Sequence, residues 1–225
     1  MDLTRSYETA FLEPVRLRYD WRETRNAGAV LAATDPAAFR DIAEVLQGFT
    51  LTTHDLIYPG GNETDIAARL NEQFRRRGWR EAAYGLGFVA TRTTEPFGGE
   101  PRAEPERSEI SSEGYKVDNV LRRVVLDVEW NAKDGNLDRD LAAYRALYDA
   151  GFVDVAIILT RVQVSLRQFA YRLALENGIE DAEARKRLAT TTTTNLEKLE
   201  PRLSRGDGGG CPVLAVAITE RCWAE

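Results

Sequence analysis

Two acids interrupt a short stretch that otherwise has the residues of a buried strand. Asp127 and Glu129 are two positions apart within residues 124–130, VVLDVEW. Because side chains alternate between the two faces of a strand, both acids lie on one face, with their Cα atoms roughly 7 Å apart. Two carboxylates at that spacing can bind one cation. They also fit an ordinary amphipathic strand with one face in water, so the pair alone leaves both interpretations open.

A third acid favours the metal interpretation. Asp118 precedes Asp127 by nine residues, a distance at which a hairpin or a bent segment returns a side chain to the same strand. Three clustered carboxylates repel one another and raise one another's pKa unless a divalent cation neutralises them. The pattern D-x8-D-x-E therefore suggests Mg²⁺ with retained water ligands. Such an ion lowers the pKa of a bound water and stabilises charge on a phosphoryl group.

The composition indicates a globular chain and excludes several kinds of site. The 225 residues, 43% apolar and 29% charged, predict a single domain covering residues 1–225. No apolar run could span a bilayer and the N-terminal segment does not resemble a signal peptide, so we expect a cytoplasmic protein with no membrane partner. Cys211 and Cys222 form no CxxC pair and His54 is the only histidine, which argues against zinc sites and Cys/His nucleophiles.

The charge distribution is compatible with two kinds of surface. The net charge of −6, from 30 basic and 36 acidic residues, argues by itself against nucleic acid as a partner. The basic residues nevertheless cluster at residues 75–80, at 122–123 and at 183–188. Such clusters either form solvated helix faces or follow the phosphates of DNA, in which case affinity for DNA falls steeply as salt rises.

The elements around the acids alternate between strand and helix. Residues 124–130 form the first strand, and the β-branched run 153–160 predicts a second strand that is buried on both faces. The helix between them has one apolar face, formed by Leu137, Leu141, Tyr144 and Tyr148. Strand, helix and strand imply a right-handed crossover, and residues 211–219 supply another core strand. The sequence therefore predicts an α/β fold with a central mixed β-sheet flanked by helices.

Local signals predict further elements in the first half of the chain. Asp35 has the position of an N-cap and Pro36 that of the first helical residue, so a helix begins there. A turn is predicted at residues 59–62, followed by an amphipathic helix over residues 63–79. Residues 97–114 are rich in Gly, Pro, Ser and charge, which predicts a long loop.

Two polar segments near the C-terminus have more than one interpretation. The threonines of residues 190–194 could bind phosphates or bases through their hydroxyls. They also fit a polar loop before a helix, in which Thr194 and Glu197 have the spacing of a capping box. The glycine-rich residues 205–212 lack the GK[ST] of a phosphate-binding loop and predict a turn before a strand.

Three blocks in a fixed order resemble a known enzyme family. They are LNEQFRRRGWRE at residues 70–81, YKVDNVLRRVVLDVEWNAKD at 115–134 and RGDGGGCPVLAVAIT at 205–219. Together they resemble type II restriction endonucleases of the BglII/BstYI kind, within the PD-(D/E)xK nuclease superfamily, from about residue 66 to residue 219. The resemblance implies a restriction-endonuclease-like core and site-specific cleavage of DNA.

The resemblance assigns roles to the acids. It implies that Asp118 and Asp127 bind Mg²⁺ and that Glu129 takes the catalytic position that lysine fills in most of the superfamily. Enzymes of the BglII/BstYI kind carry glutamine there, and BamHI-like enzymes carry glutamate. A water-orienting group at Glu129 is thus an acceptor rather than a cation. Glu72, on the helix before the core, either reaches the metal through water or is a solvated helix acid.

The resemblance also implies the partners. Asn131 and Lys133, with Thr191, Thr192, Thr193 and Thr194, are expected to lie near double-stranded DNA. A homodimer is expected, since a C2 pair presents two active sites to a palindromic site. The implied activity is Mg²⁺-dependent double-strand cleavage that leaves 5′-phosphates. One alternative is a DNA-binding protein that keeps this fold without cleavage, and another is a structural α/β protein that binds neither DNA nor metal.

Overall fold

A six-stranded mixed sheet forms the centre of the molecule. The computed structural model describes residues 1–58 and 65–224, with only the backbone of residues 112 and 113. The strands are β1 (Tyr19–Glu23), β2 (Arg80–Arg92), β3 (Glu106–Leu121), β4 (Val124–Val128), β5 (Val155–Arg161) and β6 (Val213–Ile218). Their order across the sheet is β1-β6-β5-β4-β3-β2. The neighbours β4, β5 and β6 run parallel, whereas β1, β3 and β2 each run antiparallel to their partners.

Helices flank this sheet, as the sequence predicts. They are α1 (Tyr7–Ala10), α2 (Glu13–Arg16), α3 (Ala27–Thr34), α4 (Pro36–Gly48), α5 (Thr53–Ile57), α6 (Asp65–Arg76), α7 (Gly135–Asp149), α8 (Val164–Glu176), α9 (Asp181–Ala184) and α10 (Leu196–Arg205), with a 3-10 helix at Glu220–Cys222. The predicted α/β class with a central mixed sheet is confirmed. Among the described residues, no helix combines the length and the apolar content needed to cross a membrane.

The predicted strand–helix–strand unit is β4, α7 and β5. Every residue of β4 and β5 is buried, because parallel strands are covered on both faces. Leu126 pairs with Ile157 and Asp127 with Ile158 in the parallel ladder. Helix α7 buries Leu137, Leu141 and Tyr144 of the predicted face, but Tyr148 is exposed and Leu147 is buried instead. Gly151 follows the helix with a φ of +76°, a conformation that suits glycine. This unit fixes the strand that carries the acids.

The local start and stop signals in the first half are also present. The Asp35 side chain accepts a hydrogen bond from the Ala38 N–H at the start of α4, with Pro36 as the first helical residue. Helix α6 occupies Asp65–Arg76 of the predicted helical stretch, and Gly78 beyond it has a φ of +92°. The turn predicted at residues 59–62 lies outside the described residues.

Two local predictions were wrong. The loop predicted over 97–114 covers 93–105, because residues 106–114 form the first part of β3 and pair with β2 in a two-stranded ribbon. Backbone hydrogen bonds stabilise this ribbon, so it does not need the apolar face that a core strand shows in its sequence. The capping box at Thr194 is absent, since the Asn195 side chain caps α10 instead. Glu197 accepts hydrogen bonds from the backbone of Gln163 and Val164 at the start of α8.

Candidate active site

The hairpin between β3 and β4 brings Asp118 and Asp127 together. The backbone N–H of Asp118 donates to Asp127 Oδ1 at 2.8 Å. Glu129 lies just past β4, and its N–H donates to the Leu159 carbonyl at 2.7 Å, which extends the parallel ladder beyond the strand. Backbone pairing with β5 therefore positions Asp127 and Glu129, and the hydrogen bond from the Asp118 backbone joins β3 to the same end of β4.

The face shared by these acids is packed against α7 rather than open to water. Asp127 is 4% exposed and Glu129 5%, whereas Asp118 is half-buried. The Tyr144 hydroxyl, on α7, donates to Asp127 Oδ2 at 2.5 Å. Both oxygens of Asp127 thus accept hydrogen bonds, one from the hairpin and one from the helix. The interpretation of this stretch as a strand with one solvated face does not fit this burial.

A fourth acid, Asp140, completes the cluster. It lies on α7 one turn before Tyr144, is 2% exposed, and lies beside the Glu129 carboxyl group, whose pKa it raises. Arg139 donates to Asp140 Oδ1 through Nε and Nη2 at 3.1 and 2.9 Å. The sequence carried a signal for Asp140, because its spacing from Tyr144 places an acid on the face of α7 that packs on the sheet.

Burial makes these carboxyl groups hold protons more tightly than usual. Desolvation raises the pKa of Asp127 to about 7, with the Asp140 charge adding to the effect and the Tyr144 hydrogen bond opposing it. Desolvation also raises the pKa of Glu129, and the neighbouring Asp140 raises it further. For Asp140 the direction is again upward, mainly through desolvation, against the Arg139 contact. The cluster therefore contains more negative charge than its surroundings neutralise.

The donor chemistry of the cluster suits a hard divalent cation. Glu129 Oε2 and Asp140 Oδ2 are buried and have no hydrogen-bond donor among the described residues. Two facing carboxylates are linked only by a shared proton or by a cation, and carboxylate oxygens are the ligands that Mg²⁺ prefers. In the part of the chain that the structure describes, no three His, Cys, Asp or Glu side chains are already arranged around a metal position. The residues fit such an ion in type and charge.

The two predicted DNA-contact segments lie side by side. An isolated antiparallel bridge joins Lys133 to Thr193, and the Thr194 N–H donates to the Ala132 carbonyl at 2.8 Å. Asn131, Lys133, Thr191 and Thr192 are exposed. Thr193 and Thr194 are buried, and the Thr194 hydroxyl donates to the Glu129 carbonyl at 2.8 Å. Residues 190–194, the threonine loop, thus contact the end of β4, and the exposed residues of this loop flank the segment after Glu129.

Glu72 lies on α6, and its observed contact is within that helix and away from the acid cluster. It is exposed on α6 and accepts a hydrogen bond from Arg76 Nε at 2.9 Å. Its neighbour Asn71 accepts from the Asn119 amide at 2.8 Å, and Asn119 pairs with Leu126 across the hairpin. Because neighbouring residues of a strand point to opposite faces, α6 covers the face opposite to Asp118 and Asp127. A water-mediated contact from Glu72 to a metal stays a prediction.

Several of the clustered basic residues already have acidic partners. Arg122 forms two hydrogen bonds with Asp35, and Arg123 forms two with Asp154. Hydrogen bonding to these acids is the largest cause of the raised pKa of each arginine. These two arginines therefore form local ion pairs within the fold, which argues against a role of the 122–123 cluster in binding DNA phosphates.

The comparison with known families agrees with the observed fold. The family model of restriction endonuclease BglII/BglIII matches residues 19–218, from the first residue of β1 to the last residue of β6. No individual curated protein matches the chain. The matched stretch includes the β3–β4 hairpin, α7 and the threonine loop, and family membership indicates a site-specific deoxyribonuclease that binds double-stranded DNA. The chain belongs to the BglII/BglIII family of restriction endonucleases.

Proposed function

We propose that this protein is a Mg²⁺-dependent type II restriction endonuclease that cuts both strands of a short palindromic DNA site and leaves 5′-phosphates. The observation that carries the proposal is the buried acid cluster at the end of β4, in a chain of this family. A cluster with excess negative charge and unpartnered carboxylate oxygens is neutralised by protons or by a cation, and carboxylate oxygens are ligands that Mg²⁺ prefers.

Asp118 and Asp127 would hold the metal ion, and Glu129 lies beside them at the strand end. When bound, the ion supplies charge stabilisation at the scissile phosphate and lowers the pKa of a bound water. Tyr144 fixes the Asp127 carboxylate through its hydroxyl, and α7 excludes bulk water from that side. Glu129, as a carboxylate, accepts a proton from the attacking water or orients it, and the neighbouring Asp140 raises the pKa of Glu129.

The proposed active form is a homodimer. A palindromic site presents the same phosphate and base geometry twice, and a C2 pair of chains presents two identical clusters to it. Concerted cleavage of both strands needs two clusters of this kind at once, whereas the described residues of one chain contain one. Sedimentation of the protein with and without DNA measures the number of chains per duplex.

A second candidate function has one specific observation in its favour. The pKa of Glu129 is raised, mainly by burial, and a protonated Glu129 neither accepts a proton from water nor carries charge for a metal. In that state the protein binds DNA without cutting it. This candidate predicts retarded but intact DNA at every Mg²⁺ concentration.

Incubation with phage DNA and Mg²⁺ separates the two functions. The endonuclease produces discrete fragments whose ends carry 5′-phosphates and map to one palindromic sequence. The binding protein retards the DNA in a gel and leaves its length unchanged. Absence of both effects contradicts both proposals. Omission of Mg²⁺, or its replacement by Ca²⁺, tests the metal requirement on the same DNA.

A further inference from the structure

Arg161 is a buried cation without an anionic partner. It is the last residue of β5 and is 0% exposed, next to the strand end that carries Glu129. Among the described residues no carboxylate lies within ion-pair distance of it. Its burial lowers the pKa to about 10, against the more distant charge of Glu197. A guanidinium in this setting is costly to bury, so its position needs an explanation beyond packing.

Three segments supply neutral side-chain acceptors to Arg161. Nη1 donates to Gln163 Oε1 at 2.6 Å, Nη2 to Thr193 Oγ1 at 3.1 Å, and Nε to Asn131 Oδ1 at 3.2 Å. The Trp130 ring lies 5.8 Å from the guanidinium carbon. The arginine therefore joins the segments that follow β4 and β5 to the threonine loop.

Two of the three acceptors are themselves held by a second hydrogen bond. The Gln163 amide nitrogen donates to the Leu188 carbonyl at 2.9 Å, and the Thr193 hydroxyl donates to the Thr190 carbonyl at 3.2 Å. Both side chains act as fixed anchors for the guanidinium. Asn131 differs from them, since it is exposed and its amide nitrogen has no acceptor within the described part of the chain.

The chemistry of arginine determines which way the Asn131 amide faces. A guanidinium carries only donors, so the Asn131 oxygen must turn towards Arg161 and the NH₂ group away from it. The backbone of Asn131 has a φ of +57°, a left-handed conformation that asparagine tolerates better than most residues. Lys133, exposed on the same segment, also carries only donors. This segment thus presents hydrogen-bond donors to its surroundings.

We propose that Arg161 is a specificity-determining positioning residue, which holds Asn131 so that its NH₂ group donates to a guanine edge in the major groove. Guanine is the base that presents two acceptors there, O6 and N7. Adenine and cytosine each present an amino donor, and thymine presents one acceptor, O4, beside its methyl group. The inference rests on the proposed function, because it concerns how a DNA-cutting enzyme selects its site.

The first test uses stability and needs no DNA. Asn131→Asp gives the buried guanidinium a carboxylate at the same position, so the melting temperature should rise by at least about 2 °C. The matched control is Asn26→Asp, since Asn26 is also exposed with a φ of +55° but follows β1 at the other end of the sheet. We expect a smaller shift in that control and an unchanged rate of DNA cleavage. An unchanged or lower melting temperature in Asn131→Asp, relative to the control, contradicts the assigned contact.

The second test measures base selection. Once fragment ends have defined the site, each guanine is replaced in turn by 7-deazaguanine, which lacks the N7 acceptor. Wild-type kcat/KM should fall about tenfold at one guanine per half-site. Asn131→Gly, which keeps the left-handed backbone, should lose sensitivity at that guanine alone. Arg161→Lys should lose it as well, and the double variant should show no further loss, because both act through one contact.

The outcomes separate this inference from the proposed function. If the wild type cuts DNA and Asn131→Gly keeps full sensitivity to every 7-deazaguanine, the inference is overturned and the endonuclease stands. If the wild type neither cuts nor retards DNA, the proposed function fails and the inference fails with it. Melting curves show whether Arg161→Lys folds. If it does not fold, Asn131→Gly still tests base selection, because it leaves the buried guanidinium unchanged.

Discussion

Two buried charged groups lie at the ends of the neighbouring strands β4 and β5, and they differ in whether their polar atoms have hydrogen-bond partners. The acid cluster after β4 has carboxylate oxygens without donors, and its Asp127 holds a proton up to about neutral pH. The arginine at the end of β5 has no counter-charge, yet neutral oxygens accept from Nε, Nη1 and Nη2. A cluster with unfilled coordination sites is suited to bind an ion, whereas a charge with filled hydrogen bonds is suited to hold other groups in place.

The largest effect should come from removing charge at the acid cluster. We expect Asp127→Asn to reduce Mg²⁺-dependent cleavage about 10³-fold or more, because the bound metal lowers the activation barrier by several kcal/mol. Specific DNA binding in Ca²⁺ should persist, since the lost negative charge no longer repels phosphate. Fragment formation and gel retardation measure the two properties, with circular dichroism as the folding control. If folded Asp127→Asn and Asp118→Asn cut DNA at the wild-type rate, neither residue binds the catalytic metal.

Glu129 should show a smaller effect that depends on the substituted side chain. Glu129→Ala removes the acceptor for water and should lower the cleavage rate about 10²-fold. Glu129→Gln keeps an oxygen acceptor and can donate to Asp140, so part of the activity should remain. Single-turnover rates on one oligonucleotide duplex compare the variants. Equal rates for the two variants would show that the acceptor oxygen at this position does not contribute.

Stability without metal should fall as the pH rises towards neutral. The pKa of Asp127 is about 7 in the folded chain and roughly 3.9 in an unfolded chain. Between these values the folded chain binds more protons, so the free energy of unfolding decreases as pH increases. We expect a loss of about 2 kcal/mol between pH 5.5 and 7.5 in the presence of a chelator. Arg161 does not contribute, because its pKa of about 10 lies above this window.

Urea unfolding at both pH values measures this loss. Asp127→Asn should reduce the slope, whereas Asp138→Asn should keep it, because the Arg202 contact lowers the pKa of Asp138. Added Mg²⁺ should stabilise the wild type more at pH 7.5 than at pH 5.5, since protons compete with the ion for the carboxylates. Stability that is constant across this range would contradict the upward shift of the Asp127 pKa.

The smallest effect concerns the Tyr144 hydroxyl. Its hydrogen bond lowers the pKa of Asp127, so Tyr144→Phe should raise that pKa and move the lower midpoint of the pH–rate profile upward. The loss of one hydrogen bond to a buried carboxylate corresponds to about 1 kcal/mol, or roughly a fivefold lower rate at pH 7. A rate profile that superimposes on the wild type would show that Tyr144 only packs against the sheet.

Much of the fold and part of the site were predictable, because they depend on residues close in the chain. Alternation along one strand and a nine-residue return predicted that Asp118 and Asp127 meet. Helical spacing places Asp140 on the packed face of α7, but its partner Glu129, like the role of Arg161, depends on long-range packing. One helix must dock on the sheet before Asp140 reaches Glu129, and three segments must converge before Arg161 finds its acceptors. Similarly, Glu197 caps a helix that begins 33 residues earlier, which no local spacing reveals.

The hydrogen bond from the Asp118 N–H to Asp127 Oδ1 provides a spectroscopic reporter of the cluster. An amide proton that is donated to a carboxylate changes its NMR chemical shift when that carboxylate gains a proton or loses the bond. The ¹H–¹⁵N resonance of Asp118 therefore follows the state of Asp127 during titration with acid or Mg²⁺. The change in this chemical shift would measure how far protons or Mg²⁺ have bound to the cluster, in the absence of DNA and of cleavage.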